Sequence, residues 1–381
     1  MSQLEWVTNI RRTLHRIPEI GFELHQTSTF IYDQLVSFGY KPCSVAGTGW
    51  FAVKEGTSKE AIAFRADMDA LSVIEKTQVD FASSNGNMHA CGHDGHSTML
   101  LGLAKQISTL TLLKTIIFIF QPAEEGPGGA QPILASGNLD SYEISAIFAI
   151  HLFPGLEEGK FGVIEGPMMA ANGEFDLLIH GKSSHGAQPH LGQDAILASS
   201  ALIQAYHSIV SRDVDPLSSA VVSIGTIAGG EARNIIPQTV KLSGTFRSFE
   251  PELYAQIKDR MGQIDAGISL AYGVKIENDI RDYYPPVRND ASLYQVVKSV
   301  LDVDEIRPLK PLMFAEDFAF YQQKYKGIMV MLGTRNEALG YVHPLHSCYF
   351  NFNEAVLLIG IDYYLRIAEA MGALSLKRSD Q

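Results

Sequence analysis

The feature that most narrows the possible folds is a change of hydrophobic rhythm along the chain. Short apolar runs ("AIAFRADMDA" from Ala61, "TIIFIF" from Thr115, "AIFAI" from Ala146) alternate with segments of helical period such as "GHSTMLLGLAKQIS". That alternation predicts a mostly parallel sheet with helices on its faces. Two helices precede it. Val7, Ile10, Leu14 and Ile17 recur at helical spacing and stop at Pro18, and a second helix runs from Thr27 to Phe38, closed by Gly39.

Near Asn172 the rhythm changes. A strand "GEFDLLIHG" is followed by a helix "DAILASSALIQAYHSIV", two strands "SAVVSIGTIAG" and "TVKLSGTFRS", a helix "PELYAQIKDRMGQIDAG" and a strand "YGVKIEND". The order β-α-β-β-α-β is the ferredoxin-like arrangement. It ends at the proline-marked "DYYPPVRND", after which the strand "GIMVMLG" and a closing helix "NEAVLLIGIDYYLRIAEAMG" return to the first style. The expected fold is therefore α/β. A mostly parallel sheet domain spans residues 1–173 and 288–381, with a ferredoxin-like domain, residues 174–287, inserted into it.

Bulk properties exclude several functions. The formal net charge is −12, whereas neutralising phosphates or an anionic membrane surface needs a basic face, so neither nucleic acid nor membrane is an expected partner. Three cysteines, Cys43, Cys91 and Cys348, are too few and too odd a number for a disulfide framework. The N-terminus "MSQLEWVTNIRR" has no apolar signal core, and the longest apolar runs are too short to span a bilayer. The cytoplasm is the expected compartment.

The polar residues fall in a pattern. Asp67 and Asp69 sit at a strand exit, Glu124 and Glu125 lie just beyond "TIIFIF", and His151 follows "AIFAI". Cys91 and His93 precede a helix, and His343 and His346 come after "GIMVMLG". In open α/β sheets ligands bind at the carboxyl ends of the strands. Acids, histidines and one thiol thus converge from five segments. Cys91 alone reads as a nucleophile, a metal ligand, a redox thiol or a small buried residue. His89 and His96 read as structural or as supports for neighbouring ligands. No H-E-x-x-H, G-x-S-x-G or C-x-x-C occurs, which weighs against helix-borne zinc proteases, α/β-hydrolases and thioredoxin-like redox chemistry. A metal-free Cys91–His hydrolase would leave the Glu pair, His151 and His346 unused, whereas a metal centre uses them all.

With these residues assembled, the chain resembles the co-catalytic metal amidohydrolases, a family of aminoacylases, hippurate hydrolases, auxin-conjugate hydrolases and glutamate carboxypeptidases. The resemblance covers almost the whole chain: "HRIPEIGFE", "RADMDAL", "MHACGHDGH", "FQPAEEGPGGA", "HLFPGL", "GKSSHGAQPH", "ARNIIP" and "FAEDFAFY" occur in order. "NMHACGHD" and "FQPAEEGPGGA" look especially like the bacterial N-acetyl-diaminopimelate deacetylase branch. The resemblance implies a metal-dependent hydrolase of N-acyl, chiefly N-acetyl, amino acids, with a place in lysine biosynthesis. Hippurate-type and N-acetyl-cysteine substrates, or a binding protein without turnover, are the alternatives.

It also implies that Cys91, His93, Glu125, His151 and His346 hold two divalent ions per subunit (Zn, Mn, Co or Ni). Glu124 matches the general base. His185, Asn234 and Arg247 match residues of a lid domain that hold the substrate carbonyl and carboxylate. That lid pairs two subunits in a homodimer and lends His185 to the partner. Asp67-Met68-Asp69 stands where the carboxypeptidase branch has His-x-Asp, so both aspartates are expected to orient ligands. Ser72 replaces a usual proline, and Cys348 beside His346 is unusual.

Overall fold

The structure, a computed structural model, describes residues 1–374. The chain forms two compact units. The first comprises Met1–Gly166, Arg288–Lys310 and the chain from Asp317 onward; the second comprises Pro167–Val287 and a short return, Pro311–Glu316.

The first unit is built on an eight-stranded sheet. Its centre is four parallel neighbours in the order Leu112–Gln121, Gly56–Asp67, Glu143–Glu157 and Gly327–Arg335. An antiparallel pair, Cys43–Val45 and Gly49–Lys54, extends one edge, and Phe161–Gly162 and Ile306–Arg307 extend the other. From Ala61 to Asp67 every residue of the central strand is buried, as expected of a parallel sheet covered on both faces. The His93–Ile107 helix is buried along almost its whole length. It approaches the closing helix Val356–Ala370 through two glycines. A Cβ on Gly102 would lie 2.2 Å from Ile361 Cδ1, and one on Gly360 would lie 2.0 Å from Met99 Sδ. Bare glycines there let the two backbones close on each other's side chains.

The first helix, Gln3–His15, starts with a capping box between Ser2 and Glu5. It stops short of Ile17 because the residue before a proline is pushed out of the helical region. The second, His25–Ser37, is capped from a distance by the Glu19 carboxylate on the N–H groups of Gln26 and Thr27.

The second unit is a four-stranded antiparallel sheet in the order Ala220–Gly229, Thr239–Ser248, Ala171–His180, Lys275–Tyr284. With the helices Ala195–Ser208 and Pro251–Tyr272, this is the ferredoxin-like arrangement. Along Ala171–His180 buried residues alternate strictly with partly exposed ones, so one face packs against the helices. Phe175, Leu177, Ile179, Leu202, Tyr206 and Ile257 form its core. Among the described residues no helix is long and apolar enough to cross a membrane.

A charged network lies inside the first unit. Arg11 is buried between the rings of Phe81 and Phe352. Its Nε donates to Asp94 at 2.8 Å, and Nη2 donates to Asn351 at 2.8 Å. His15 contacts Asp94 through Nδ1 at 2.7 Å and Glu75 through Nε2 at 3.2 Å. Glu75 also accepts from the N–H of Ser83 and the hydroxyl of Thr77. Burial opposes the Glu75 charge, but His15 and these donors outweigh it and hold its pKa at about 2 rather than 4.5. A depressed carboxylate stabilises the fold above its unfolded pKa, and that contribution is lost as pH falls from 4.5 towards 2. Glu75→Gln should therefore lower the stability of the chelated protein at pH 7 by roughly 3 kcal/mol. The gap from wild type should shrink steadily below pH 4.5. Urea melts across this range check it; a gap independent of pH would show that the carboxylate charge contributes nothing.

Candidate metal centre

The site residues gather where the parallel strands end. Gly56–Asp67 terminates at Asp67, with Asp69 two residues beyond. Leu112–Gln121 ends just before the loop that carries Glu124 and Glu125. Cys91 precedes the His93–Ile107 helix, joined to it by Gly92 at φ 90°. His346 comes from the loop after Gly327–Arg335, and its N–H donates to the Ala90 carbonyl at 2.8 Å, which sets it beside Cys91. His151 does not follow a strand as the sequence suggested. Glu143–Glu157 runs on past it, because pairing with Gly327–Arg335 continues on that side. On the other side pairing ends at Arg65 and Ala149, which leaves the next turns of the strand open towards the site.

Hydrogen bonds fix the histidine tautomers. His93 Nδ1 donates to the Asp69 carbonyl at 2.9 Å and carboxylate at 3.2 Å. His151 Nδ1 donates to the Leu152 carbonyl at 2.7 Å. Each Nε2 is thereby the nitrogen left to bind a metal, the usual way a carboxylate or carbonyl orients a metal-binding imidazole. His96 differs: Nε2 accepts from the Leu152 N–H at 2.8 Å and Nδ1 donates to Asp67 at 2.6 Å. Both its nitrogens are used, so it offers no donor.

The two aspartates take different positions around His93. Asp69 holds Nδ1 and also accepts from the Glu125 N–H at 3.0 Å. Asp67 lies on the Nε2 side, 3.8 Å away, as does Glu124 at 3.8 Å, with Glu125 at 3.9 Å. His93 Nε2 is buried and has no hydrogen-bond partner. Three carboxylates around one ring nitrogen, all too far for a hydrogen bond, fit a shared cation. The donor atoms of Cys91, His93 and His151 lie within 4.8 Å of one another, as do those of Cys91, Glu125 and His346 and those of His93, Glu124 and Glu125. Thiolate and imidazole suit zinc, and carboxylates also suit harder ions. The residues present therefore fit a metal centre.

The electrostatics agree. Burial opposes a charged His93, yet Asp67, Asp69 and Glu125 outweigh it and push its pKa up to about 10. In the same place burial, Glu125 and Glu124 push the Cys91 thiol well above its usual value. His151 Nε2 is 3.5 Å from Cys91 Sγ, but burial and His96 hold its pKa at about 3. A metal-free cysteine nucleophile needs a thiolate, usually supported by an imidazolium. This pair supplies neither. A cation in the site would reverse that logic and deprotonate the thiol.

Two residues of the site have costly backbones. Ala123 (φ 61°) precedes Glu124, and His346 has φ 64°. Such left-handed residues cost about 1–3 kcal/mol each and collect at functional sites. The His346 side chain is also the most open of the set, at 53% exposure, with Nε2 3.3 Å from Glu125.

His185, Asn234 and Arg247 all lie in the second unit. His185 is exposed on a short ribbon, Ser184–His185 against Ile235–Ile236, and the Gly186 N–H donates to the Asn234 carbonyl at 2.7 Å. Those two residues are neighbours. Arg247 is on the four-stranded sheet, with Nη1 donating to the Met313 carbonyl at 3.0 Å. Sequence reasoning passed over Arg65, Gln121 and Asp317, and the partners of Asp94. The available signal was Arg65, a full charge set among the apolar residues of the run 61–66.

This fold, with acids, imidazoles and a thiol converging at the strand ends, defines a metal-dependent amide hydrolase. Residues 63–370 match the profile of Peptidase family M20/M25/M40. The chain is 38% identical over 379 residues to an Arabidopsis thaliana protein named IAA-amino acid hydrolase ILR1-like 4, covering 96% of this chain and 85% of that protein. It is 37% identical over 359 residues to N-acetyldiaminopimelate deacetylase of Bacillus subtilis, covering 92% and 95%. It also superposes on a crystal structure described as a dinuclear metal-binding peptidase of the M20 family from Bacillus subtilis, with a TM-score of 0.85 and 32% identity over 97% of this chain and 98% of that one. The chain belongs to Peptidase family M20/M25/M40.

The donor set makes a spectroscopic prediction. Cobalt-loaded protein should show a near-ultraviolet thiolate-to-cobalt charge-transfer band. Cys91→Ser should abolish it and Cys348→Ser should keep it. An unchanged spectrum in Cys91→Ser would remove the thiol from the site.

Proposed function

We propose that the protein hydrolyses the amide bond of N-acyl amino acids, with Glu124 as the general base. The observation that carries this reading is the His93 arrangement: one ring nitrogen tied to Asp69, the other unpaired and facing Asp67, Glu124 and Glu125. The names of the relatives support it. One is an IAA-amino acid hydrolase and the other an N-acetyldiaminopimelate deacetylase, so hydrolysis of an amino-acid conjugate and removal of an N-acetyl group are the activities those names state. N-acetyl amino acids, N-acetyl-diaminopimelate among them, are the substrates to assay first. A reducing compartment, the cytoplasm, suits a site with a thiol donor.

Cys91, His93, Glu125, His151 and His346 would hold two divalent ions, which when bound supply Lewis acidity to water and to a carbonyl oxygen. Glu124 takes a proton from the attacking water and returns it to the amine nitrogen as the C–N bond breaks. Asp69 keeps His93 in one tautomer throughout. His185 and Asn234 steady the carbonyl oxygen as charge develops on it, and Arg247 pairs with the free α-carboxylate.

Adjacent glutamates with different tasks give a direct test. Glu124→Gln should retain bound metal by elemental analysis but lose kcat by about a hundredfold or more. Glu125→Gln should lose metal as well. The opposite pattern would exchange the two roles.

We further propose that the second unit pairs two subunits and that His185 acts on the partner's substrate. Homodimers of Glu124→Ala and of His185→Ala should then both be nearly inactive. In a mixed dimer one site regains both groups and the other has neither, so random mixing should restore roughly a quarter of wild-type activity. Heterodimers recovered by tag and still inactive would confine His185 to its own subunit.

A further inference from the structure

We infer that Asp317, from the "FAEDFAFY" segment, is a positioning residue for the loop that carries Glu124 and Glu125; the inference rests on Glu124 being the base. Asp317 is fully buried. Its carboxylate accepts from Arg65 Nη2 at 2.8 Å, from Gln121 Nε2 at 2.7 Å, and from the backbone N–H groups of Gly129 and Ala130 at 2.9 and 3.0 Å. Gln121 closes the strand before the loop, and Gly129 and Ala130 begin the helix after it. One carboxylate therefore clamps both ends of residues 122–129.

The loop has little freedom apart from that clamp. Gly128 N–H donates to the Ala123 carbonyl at 2.9 Å, which closes the turn around the two glutamates. A Cβ on Gly129 would lie 1.8 Å from the Pro122 carbonyl oxygen, so the two ends of the loop meet backbone to backbone. Asp69 holds the middle, at the Glu125 N–H. The Asp317 and Glu124 carboxylates approach within 4.8 Å of each other, so a shift of the clamp is felt at the base.

The same residue reaches the other wall of the site. Arg65 donates from Nε to Gln121 Oε1 at 3.0 Å and from Nη1 to Asp67 at 2.7 Å. Its guanidinium is thus a rigid fork between Asp317 and Asp67, the aspartate facing His93 Nε2. Asp317 thereby sets the distance between the Glu124 loop and the His93 wall. Displacement of a catalytic group by about 1 Å can cost about a hundredfold in rate.

The test uses the full metal-loaded chain. Asp317→Asn turns an amide N–H₂ towards donors that need an acceptor. It should lower kcat by about ten- to a hundredfold while KM for an N-acetyl amino acid moves by less than about threefold. Metal content should be unchanged, and hydrogen exchange of the 122–130 segment should speed up. The double variant Gln121→Glu/Asp317→Asn moves the carboxylate to the partner residue. Arg65 Nε and the amide N–H₂ now at position 317 can donate to it, while the oxygen of that amide accepts from Gly129 and Ala130; Arg65 Nη2 alone lacks its former acceptor, so part of kcat and of the slow exchange should return. If Asp317→Asn does not fold, Gln121→Asn, which shortens the link to both Arg65 and Asp317, should give the same split between kcat and KM.

Wild-type kcat in a folded Asp317→Asn protein, or loss of kcat together with metal and no recovery in the double variant, would overturn the inference. If the loaded wild-type protein cleaves no N-acyl amino acid, the proposed function falls and the catalytic meaning of Asp317 falls with it. An active wild type with an unaffected Asp317→Asn overturns the positioning role alone.

Discussion

A buried imidazole set between two aspartates is the constraint around which the first unit is organised. Asp69 fixes His93 by Nδ1, and Asp67, Glu124 and Glu125 surround Nε2. Like charges do not crowd a low-dielectric interior unless something positive belongs there, since each unpaired buried charge costs several kcal/mol. Protonation of His93 supplies one such charge, which is why its pKa rises to about 10 against the pull of burial. A metal ion would supply more, and would favour the thiolate of a cysteine that coordinated it.

Holding four acids together at the strand ends requires a scaffold that does not give. Two buried charge networks provide it. Arg65 ties Asp67 to Asp317 and Gln121 beneath the glutamate loop. Arg11 ties Asp94, next to His93, to Asn351 in the segment that follows His346. Each arginine is fully desolvated and fork-bonded, so removing one partner would strand a buried charge. The glycine contacts at Gly102 and Gly360 serve the same end, because they fix the helix that begins with His93.

The second unit has a different character. Its sheet is antiparallel, with one face covered and one more open, and His185 and Asn234 lie on a surface ribbon rather than in a core. The desolvated acids and imidazoles belong to the first unit.

Much of this was legible in the sequence. Hydrophobic period separated the parallel sheet from the βαββαβ unit, and the donor types at the strand exits marked the site. Period and motif are local: they report which face a side chain occupies and which residues are near in the chain. The sequence alone therefore determined the two kinds of sheet, the candidate donors and, through its motifs, the family resemblance. Only the tertiary structure decided that His96 is spent on Asp67 and Leu152, that Asp67 and Asp69 approach opposite nitrogens of His93, and that His151 sits within a strand that outruns its neighbour. It also decided that Arg65 finds Asp317, 252 residues away. Those facts depend on strand order and register, and on where a buried charge finds its nearest opposite, which no local pattern encodes.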